Sequence, residues 1–426
     1  MPPRTSRAAA VPVALSCGLL GLTTPTAHSL AAPPPPGVVH HQFPSAASAA
    51  AADIAEDGST VVAVNTDNGI TLVRFTPAGR FDTDFGENGY ARLAETPASA
   101  AAVALSEDGT VTVTGTGGKG ILLARYDRDG VPDDRFGLAG IAHGTGLLAG
   151  AGAEAAALAV QEDGQPVIAA TAPVPGASGT GTEDKRRLVV ARYGLDGTPD
   201  AGFGTAGLHV SPAAVPESAA AIALQANENV VVAGQSTLPE GDRPTLWSLT
   251  PDGEPAPGFG SRGKVLTSQD LARGVSRNMV VGSSDEIVLV GSLRNSFAAA
   301  RHLPDGSPDP AFGTTGVTGL PTQDPADANV VDVAEDGRVL AAGTLGSRLG
   351  VAAFTPSGTP DRHFGTHQDG VARLTFDAGN PPQNLAAILL SGADDITLVG
   401  SSANRIALAR LTGRGTPEES FGAGAQ

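Results

Sequence analysis

Short apolar runs separated by polar turns recur along almost the whole chain. None keeps a 3.6-residue apolar period over the length a helix needs. The segment AAVALSEDGTVTVTG (101–115) is typical: an alanine- and valine-rich run, an Asp-Gly pair, then a β-branched run. Asp-Gly between two such runs is the strongest short-range hairpin pattern. AAALAVQEDGQPVIAA, AAIALQANENVVVAG and NVVDVAEDGRVLAAG repeat the same grammar. A third run follows each hairpin, as in LLARYDRDG (122–130), VVARYGLDG (189–197) and IALARLTGRG (406–415). A short fourth run follows as GYARL (89–93), GLHVS (207–211), GKVLT (263–267) or GVARL (370–374). The pattern predicts units of four antiparallel strands.

The dipeptide Phe-Gly marks the units, at Phe85, Phe136, Phe203, Phe259, Phe312, Phe364 and Phe421, spaced 51 to 67 residues apart. Six residues before each Phe stands a glycine: Gly79, Gly130, Gly197, Gly253, Gly306, Gly358 and Gly415. Three before it stands an acid in all copies except the fourth, which has Ala256; a proline precedes that position except at Phe81. A further glycine follows by four in five copies, giving G-x-P-D-x-x-F-G-x-x-G. Seven units of four strands predict an all-β, seven-bladed β-propeller, each blade covering its neighbour's apolar face. The expected domain is 37–426, a single closed ring. The last unit ends at Phe421-Gly422 without a fourth strand, while GVVHHQF (37–43) reads as one. The N-terminal strand is therefore expected to pair with 406–411 and close the ring, hiding two sheet edges.

ARYDRDGVPDDRFGLAG (124–140) and ARYGLDGTPDAGFGTAG (191–207) resemble the delta-60 repeat, a tandem repeat of exported bacterial proteins. The resemblance extends over about residues 37–426. It implies a propeller-like fold and brings with it no catalytic residue. Copy four departs from it at Ser248-Leu249 and Ala256, and copy six has Ala353 where the arginine belongs.

Composition fits this reading. The 56 glycines and 33 prolines serve many turns, and with only 4% aromatic residues the core must be built from small aliphatics. A formal charge of −17 argues against nucleic acid or an anionic membrane surface, both of which reward Lys and Arg. The single cysteine excludes an internal disulfide framework and a cysteine-based zinc site. At the start, Arg4 and Arg7 precede an apolar stretch at 8–22, and Ala27-His28-Ser29 has the shape of a cleavage site. Residues 1–29 read as a secretory signal peptide cleaved near Ser29, and 30–36 as a proline-rich spacer. The expected product is a secreted monomer.

The recurring polar residues read first as structure. Arg74, Arg125, Arg192, Arg301 and Arg410 each precede an acid by eight residues, at Asp82, Asp133, Asp200, Asp309 and Glu418. They are expected to form internal ion-pair clips. Asp127-x-Asp129-Gly130-x-x-Asp133 is a fragment of a calcium loop, but Arg125 stands where its first ligand belongs. Gly115-x-Gly117-x-x-Gly120 has the letters of a phosphate loop, yet a strand follows it instead of a helix, so it reads as a hairpin. His40 and His41 are adjacent on a strand and would face opposite ways, a poor metal geometry. No metal or cofactor is expected.

Recognition is expected on the face away from the Asp-Gly hairpins, where connections vary most, the longest being 171–187 and 235–245. At the start of each first strand stand Ser48, Ser99, Glu154, Ser218, Val275, Asp327 and Asn384. Polar at all places but one, they are expected to form a ring at the channel mouth suited to a cationic or hydroxyl-bearing ligand. The function expected is a non-enzymatic binding or scaffold module for a small molecule or extracellular protein. The competing reading is a propeller enzyme of lactonase or lyase type, acting at the central channel.

Overall fold

The computed structural model describes residues 9–10, 34–150, 152–173, 186–212, 215–267, 278–377, 383–391 and 395–422. Seven antiparallel sheets of four strands form a β-propeller. In blade 1 the strands are Ala47–Ile54, Thr60–Thr66, Gly69–Phe75 and Tyr90–Arg92, joined in sequence order. The next five blades repeat that order. The first strand of each blade touches the first strands on either side, with Gln383–Ser391 of blade 7 meeting Ala47–Ile54 of blade 1, so these strands surround the axis. Alanines at 49–52, 100–102 and 386–387 let the inner strands crowd together while staying buried.

Blade 7 is completed from the other end of the chain. Val38–Gln42 runs antiparallel to Arg405–Leu411, with Val38 opposite Ala409 and Gln42 opposite Arg405. This is the ring closure that the orphaned last repeat predicts. Of residues 1–29, only Ala9–Ala10 is described; it pairs antiparallel with Leu158 and Ala157 on the inner strand of blade 3. The remainder of 1–33 lies outside the described residues.

The Phe-Gly signature proves to be the blade-to-blade fastener. Each signature phenylalanine is at most 6% exposed, and full burial of such a ring contributes roughly 1.5–3 kcal/mol. In six of the seven seams the next blade's turn glycine lies directly on it. Gly130, at φ +80°, would place a Cβ 2.9 Å from the Phe85 ring, so neither its backbone angle nor its surroundings admit a side chain. The glycine after each phenylalanine then donates its N–H to a turn carbonyl of the following blade. Gly86 binds Asp129, Gly137 binds Asp196, Gly204 binds Asp252, and so on round to Gly422 with Ala78, at 2.7–3.2 Å in all seven seams. In copy six the last glycine of the motif is displaced to Gly370, whose carbonyl still accepts from Ala353, as Gly140 does from Arg125.

Two features differ from expectation. Residues 235–245 are no loop: Val230–Leu238 and Gly241–Leu249 continue the ladder to a tight turn, closed by Leu238 opposite Gly241 and a Thr237–Asp242 hydrogen bond of 2.7 Å. Inner strands also carry a bulge, between Ala49 and Ala51 in blade 1 and at the equivalent place in blades 2, 3, 4, 6 and 7. The bulge brings a carbonyl so close to the second strand that a Cβ at Gly343 would stand 2.0 Å from the oxygen of Asp327.

Candidate functional site

Six of the seven ring positions fall at one register, immediately before the bulge at the start of the inner strands. Ser48 lies opposite Asn65, Ser99 opposite Thr116, Glu154 opposite Thr171, Ser218 opposite Gln235, Asp327 opposite Thr344 and Asn384 opposite Ser401. Val275 lies outside the described residues, as does 174–185 of the long connection in blade 3. Every second-strand partner is also polar, which doubles the polar row at this end of the channel. Three of those partners have structural work: Asn65 Oδ1, Thr116 Oγ1 and Thr171 Oγ1 accept the N–H groups of Ala100, Ala155 and Ala219 at the next blade's bulge, at 2.7–3.1 Å. Asn384 turns the same way, its Nδ2 donating to the Ala49 carbonyl at 3.3 Å. Side chains in this row thus reach over the seams between blades. Ser48, Ser99 and Glu154 are exposed, while Ser218, Asp327 and Asn384 are half-buried. Glu154 has an unforeseen partner, Arg186, at 3.0 Å.

The arginine clips form in four of the five expected copies. Arg74 meets Asp82 at 2.6 Å, Arg125 meets Asp133 at 2.8 Å, and Arg192–Asp200 and Arg301–Asp309 both close at 2.7 Å. Each aspartate works twice. One oxygen takes the guanidinium and the other caps the amide two residues on, as at Asp84, Arg135, Gly202 and Ala311. The amide of Gly202, with Arg192, keeps the Asp200 carboxyl below the ordinary carboxylate range despite its partial burial. Each of these guanidiniums also lies 4.6–5.1 Å above its own signature phenylalanine. Three reach the following blade's turn carbonyl, Arg74 at Arg128, Arg125 at Leu195 and Arg192 at Pro251.

The fifth clip, Arg410–Glu418, is not built as expected. Arg410 Nε donates to Thr397 Oγ1 at 3.1 Å, while Glu418 accepts from Ser420 Oγ at 2.7 Å. The extra methylene of glutamate carries its carboxylate along the turn to Ser420. Arg410 keeps the other two contacts, the Phe421 ring at 4.6 Å and the Pro77 carbonyl at 3.1 Å.

Blades 4 and 6 lack the arginine but not the seam contact. Gln225 Nε2 of blade 4 donates to the Pro304 carbonyl at 3.1 Å, and Arg338 of blade 6 donates to the Gly413 carbonyl at 2.8 Å. Both oxygens stand two residues before the turn glycine, like Pro77 and Pro251. Sequence spacing could not show these substitutes, which come from hairpin residues and not from the third strand.

Two acids of the calcium-loop fragment are engaged within the turn. Asp127 Oδ1 accepts from the amides of Asp129 and Val131 at 2.9 Å, and Asp133 holds Arg125. Among the described residues no group of three or more His, Cys, Asp or Glu side chains lies close enough to hold a metal ion. Gly115–Gly120 is a hairpin, joining Val111–Gly117 to Gly120–Tyr126. At the hairpin end of the channel a narrow cavity is lined by Asp53, Asn278 and Asp332. Asp53 accepts the amides of Ile54 and Leu105 at 2.8 Å, and Asp332 those of Val333 and Leu390 at 2.9 and 3.1 Å, so both acids join neighbouring blades.

One buried charge had no signal in the repeat. Glu217, beside ring residue Ser218, has a fully buried carboxylate that binds Lys264 and Ser211. Lys264 in turn lies 5.5 Å from the Trp247 ring.

Comparison with solved structures gives the fold alone. The chain superposes on virginiamycin B lyase from Staphylococcus aureus with a TM-score of 0.50 at 11% identity, covering 88% of this chain and 99% of that one. The Dos1 propeller gives a TM-score of 0.48 at 9% identity over 89% and 95% of the two chains. Drosophila semaphorin 1a, extracellular domains 1–2, gives 0.42 at 9% over 86% of each. No protein-family model and no curated protein matches the chain, so the likeness to the delta-60 repeat rests on the repeat residues themselves.

Proposed function

We propose that the protein is an exported, monomeric, non-catalytic propeller that binds its ligand at the variable end of the channel. One observation carries this reading. The repeated polar residues are consumed in joining blades, whereas the row before the bulges changes from blade to blade: Ser, Ser, Glu, Ser, Asp, Asn. A constant scaffold that displays different hydrogen-bonding side chains at equivalent places is how loops on rigid frames recognise ligands. Glu154 and Asp327 bring carboxylates to that row, which suits an amine, an amino sugar or a polyol. The basic and then apolar opening of the sequence supports export.

A thermal-shift screen of amines, amino sugars and polyols tests the reading. A compound that stabilises the protein should lose its effect in the Glu154→Ala/Asp327→Ala double variant, whose own melting temperature should stay within about 2 °C of the parent, as for substitutions away from the core. Retention of every hit in that variant would reject the site. A stoichiometric divalent ion in protein purified without chelators would favour the enzyme reading instead.

A further inference from the structure

On the opposite face, the seam between blades 2 and 3 carries a feature that neither fold nor ring explains. Val131, Leu138 and Leu195 are 53%, 84% and 52% exposed, three of the five large apolar side chains the described residues leave open to water. Backbone contacts draw these chain positions toward one another. Gly137 donates its N–H to the Asp196 carbonyl at 2.8 Å, setting Leu138 and Leu195 on either side of that bond. Val131 precedes Pro132, which lies against Gly140 at the end of the loop that holds Leu138. The propeller has no need of them. In other copies the Val131 position is Arg, Thr, Glu or Ser, the Leu138 position is Glu, Thr, Ser or Ala, and the Leu195 position is Pro, Arg or Gly. Exposed acids lie on the same loops: Asp127, Asp129, Asp134 and Asp196. Of the arginines at this edge, Arg135 pairs with Asp133 at 3.0 Å and Arg128 lies 3.8 Å from Asp129.

We propose that this seam docks a protein segment in which leucine-type side chains alternate with lysine or arginine. Scattered apolar side chains are ordinary on a surface, but apolar side chains grouped on loops that carry an excess of acid suit an interaction site. The acids select and orient a basic partner, and the apolar centre supplies the affinity.

The probe is a fluorescein-labelled peptide of alternating lysine and leucine, run beside lysine–serine and glutamate–leucine counterparts. The variant Val131→Thr/Leu138→Thr/Leu195→Pro takes residues that sister copies already use, and an unchanged melting curve confirms its fold. The lysine–leucine peptide should bind the parent at least tenfold more tightly than it binds this variant, and more tightly than either counterpart binds the parent. The Glu154→Ala/Asp327→Ala variant should bind it like the parent, which separates this surface from the ring. Equal binding of the lysine–serine peptide would reduce the effect to net charge and overturn the proposal, as would equal binding by the triple variant. Parent protein that self-associates in sedimentation, with a triple variant that does not and no peptide bound by either, would assign the patch to a second copy and overturn it too.

Discussion

His302 ends the third strand of blade 5, at the place where blades 1, 2 and 6 have Phe75, Tyr126 and Phe354. It is 4% exposed, and burial alone pushes its pKa down to about 4. The ring is therefore neutral in the folded protein. Below about pH 6.5 the unfolded chain takes up a proton that the native site refuses, so stability is complete above that value and declines as pH falls toward 4. A shift of that size corresponds to about 3 kcal/mol when fully expressed. Replacing His302 with Phe should leave stability at pH 7.5 nearly unchanged and flatten its decline between pH 6.5 and 4.5 in urea unfolding. An equally steep decline in the variant would mean that other groups control the acid limb. The repeat marks this position as an aromatic one. It does not show that the one imidazole among them is buried without charge, because burial is set by blade 4, against which its strand partner Ile287 packs, and not by local sequence.

At the level of the blade, the repeat foretold the strands, the turn glycines, the phenylalanine plugs and four of the five arginine clips. It missed what lies across strands. Copies four and six read as having lost a residue, yet Gln225 and Arg338 reach the same carbonyl from the hairpin side. Arg338 is held there by Asp336 at 2.8 Å. A hydrogen bond from a charged donor contributes about 1.5–3 kcal/mol, and Arg338→Ala should cost that order of stability. Adding Ala353→Arg to that variant places the arginine where Arg125 stands in blade 2, and should recover much of the loss. In the parent the same substitution should gain nothing, since the carbonyl is already occupied. Simple additivity in this double-mutant cycle would show that the two positions do not serve one contact. Residues 235–245 read as a loop for a similar reason: Gly241 and the polar residues around it look like turn chemistry, and only the ladder shows the turn to be two residues long.

Across the whole molecule, seven like seams leave one difference: six blades are continuous in sequence, and the seventh depends on a strand from the far end of the chain. The missing fourth strand after Phe421 and the strand-like GVVHHQF made that closure legible; how the strand is secured was not. His40 and His41 face opposite ways, as alternation on a strand requires. His40 Nε2 meets the Phe376 carbonyl beside blade 6 at 2.7 Å, with Arg405 and Asp377 nearby. His41 Nε2 meets the Tyr90 hydroxyl of blade 1 at 2.7 Å, its ring stacked on Phe81 at 3.8 Å and edged by Phe43 and Phe75. Burial lowers the pKa of both. A detached strand would bind protons more readily than the docked one, so docking is strongest above about pH 6.5 and weakens as the solution is acidified. At His40 the Phe376 carbonyl and Asp377 moderate the effect, whereas the aromatic surroundings of His41 offer a proton no counter-charge. Hydrogen exchange corrected for its intrinsic pH dependence should therefore accelerate at residues 38–42 between pH 7.5 and 5.5, more than at the outer strand Lys264–Leu266. The His40→Gln/His41→Phe variant keeps a hydrogen-bond donor on one side and the stacking on the other, and should lose that excess. Exchange at 38–42 that merely follows the other outer strands, or an excess that survives in the variant, would show that strand addition and the Gly422–Ala78 bond close the ring without help from the two imidazoles.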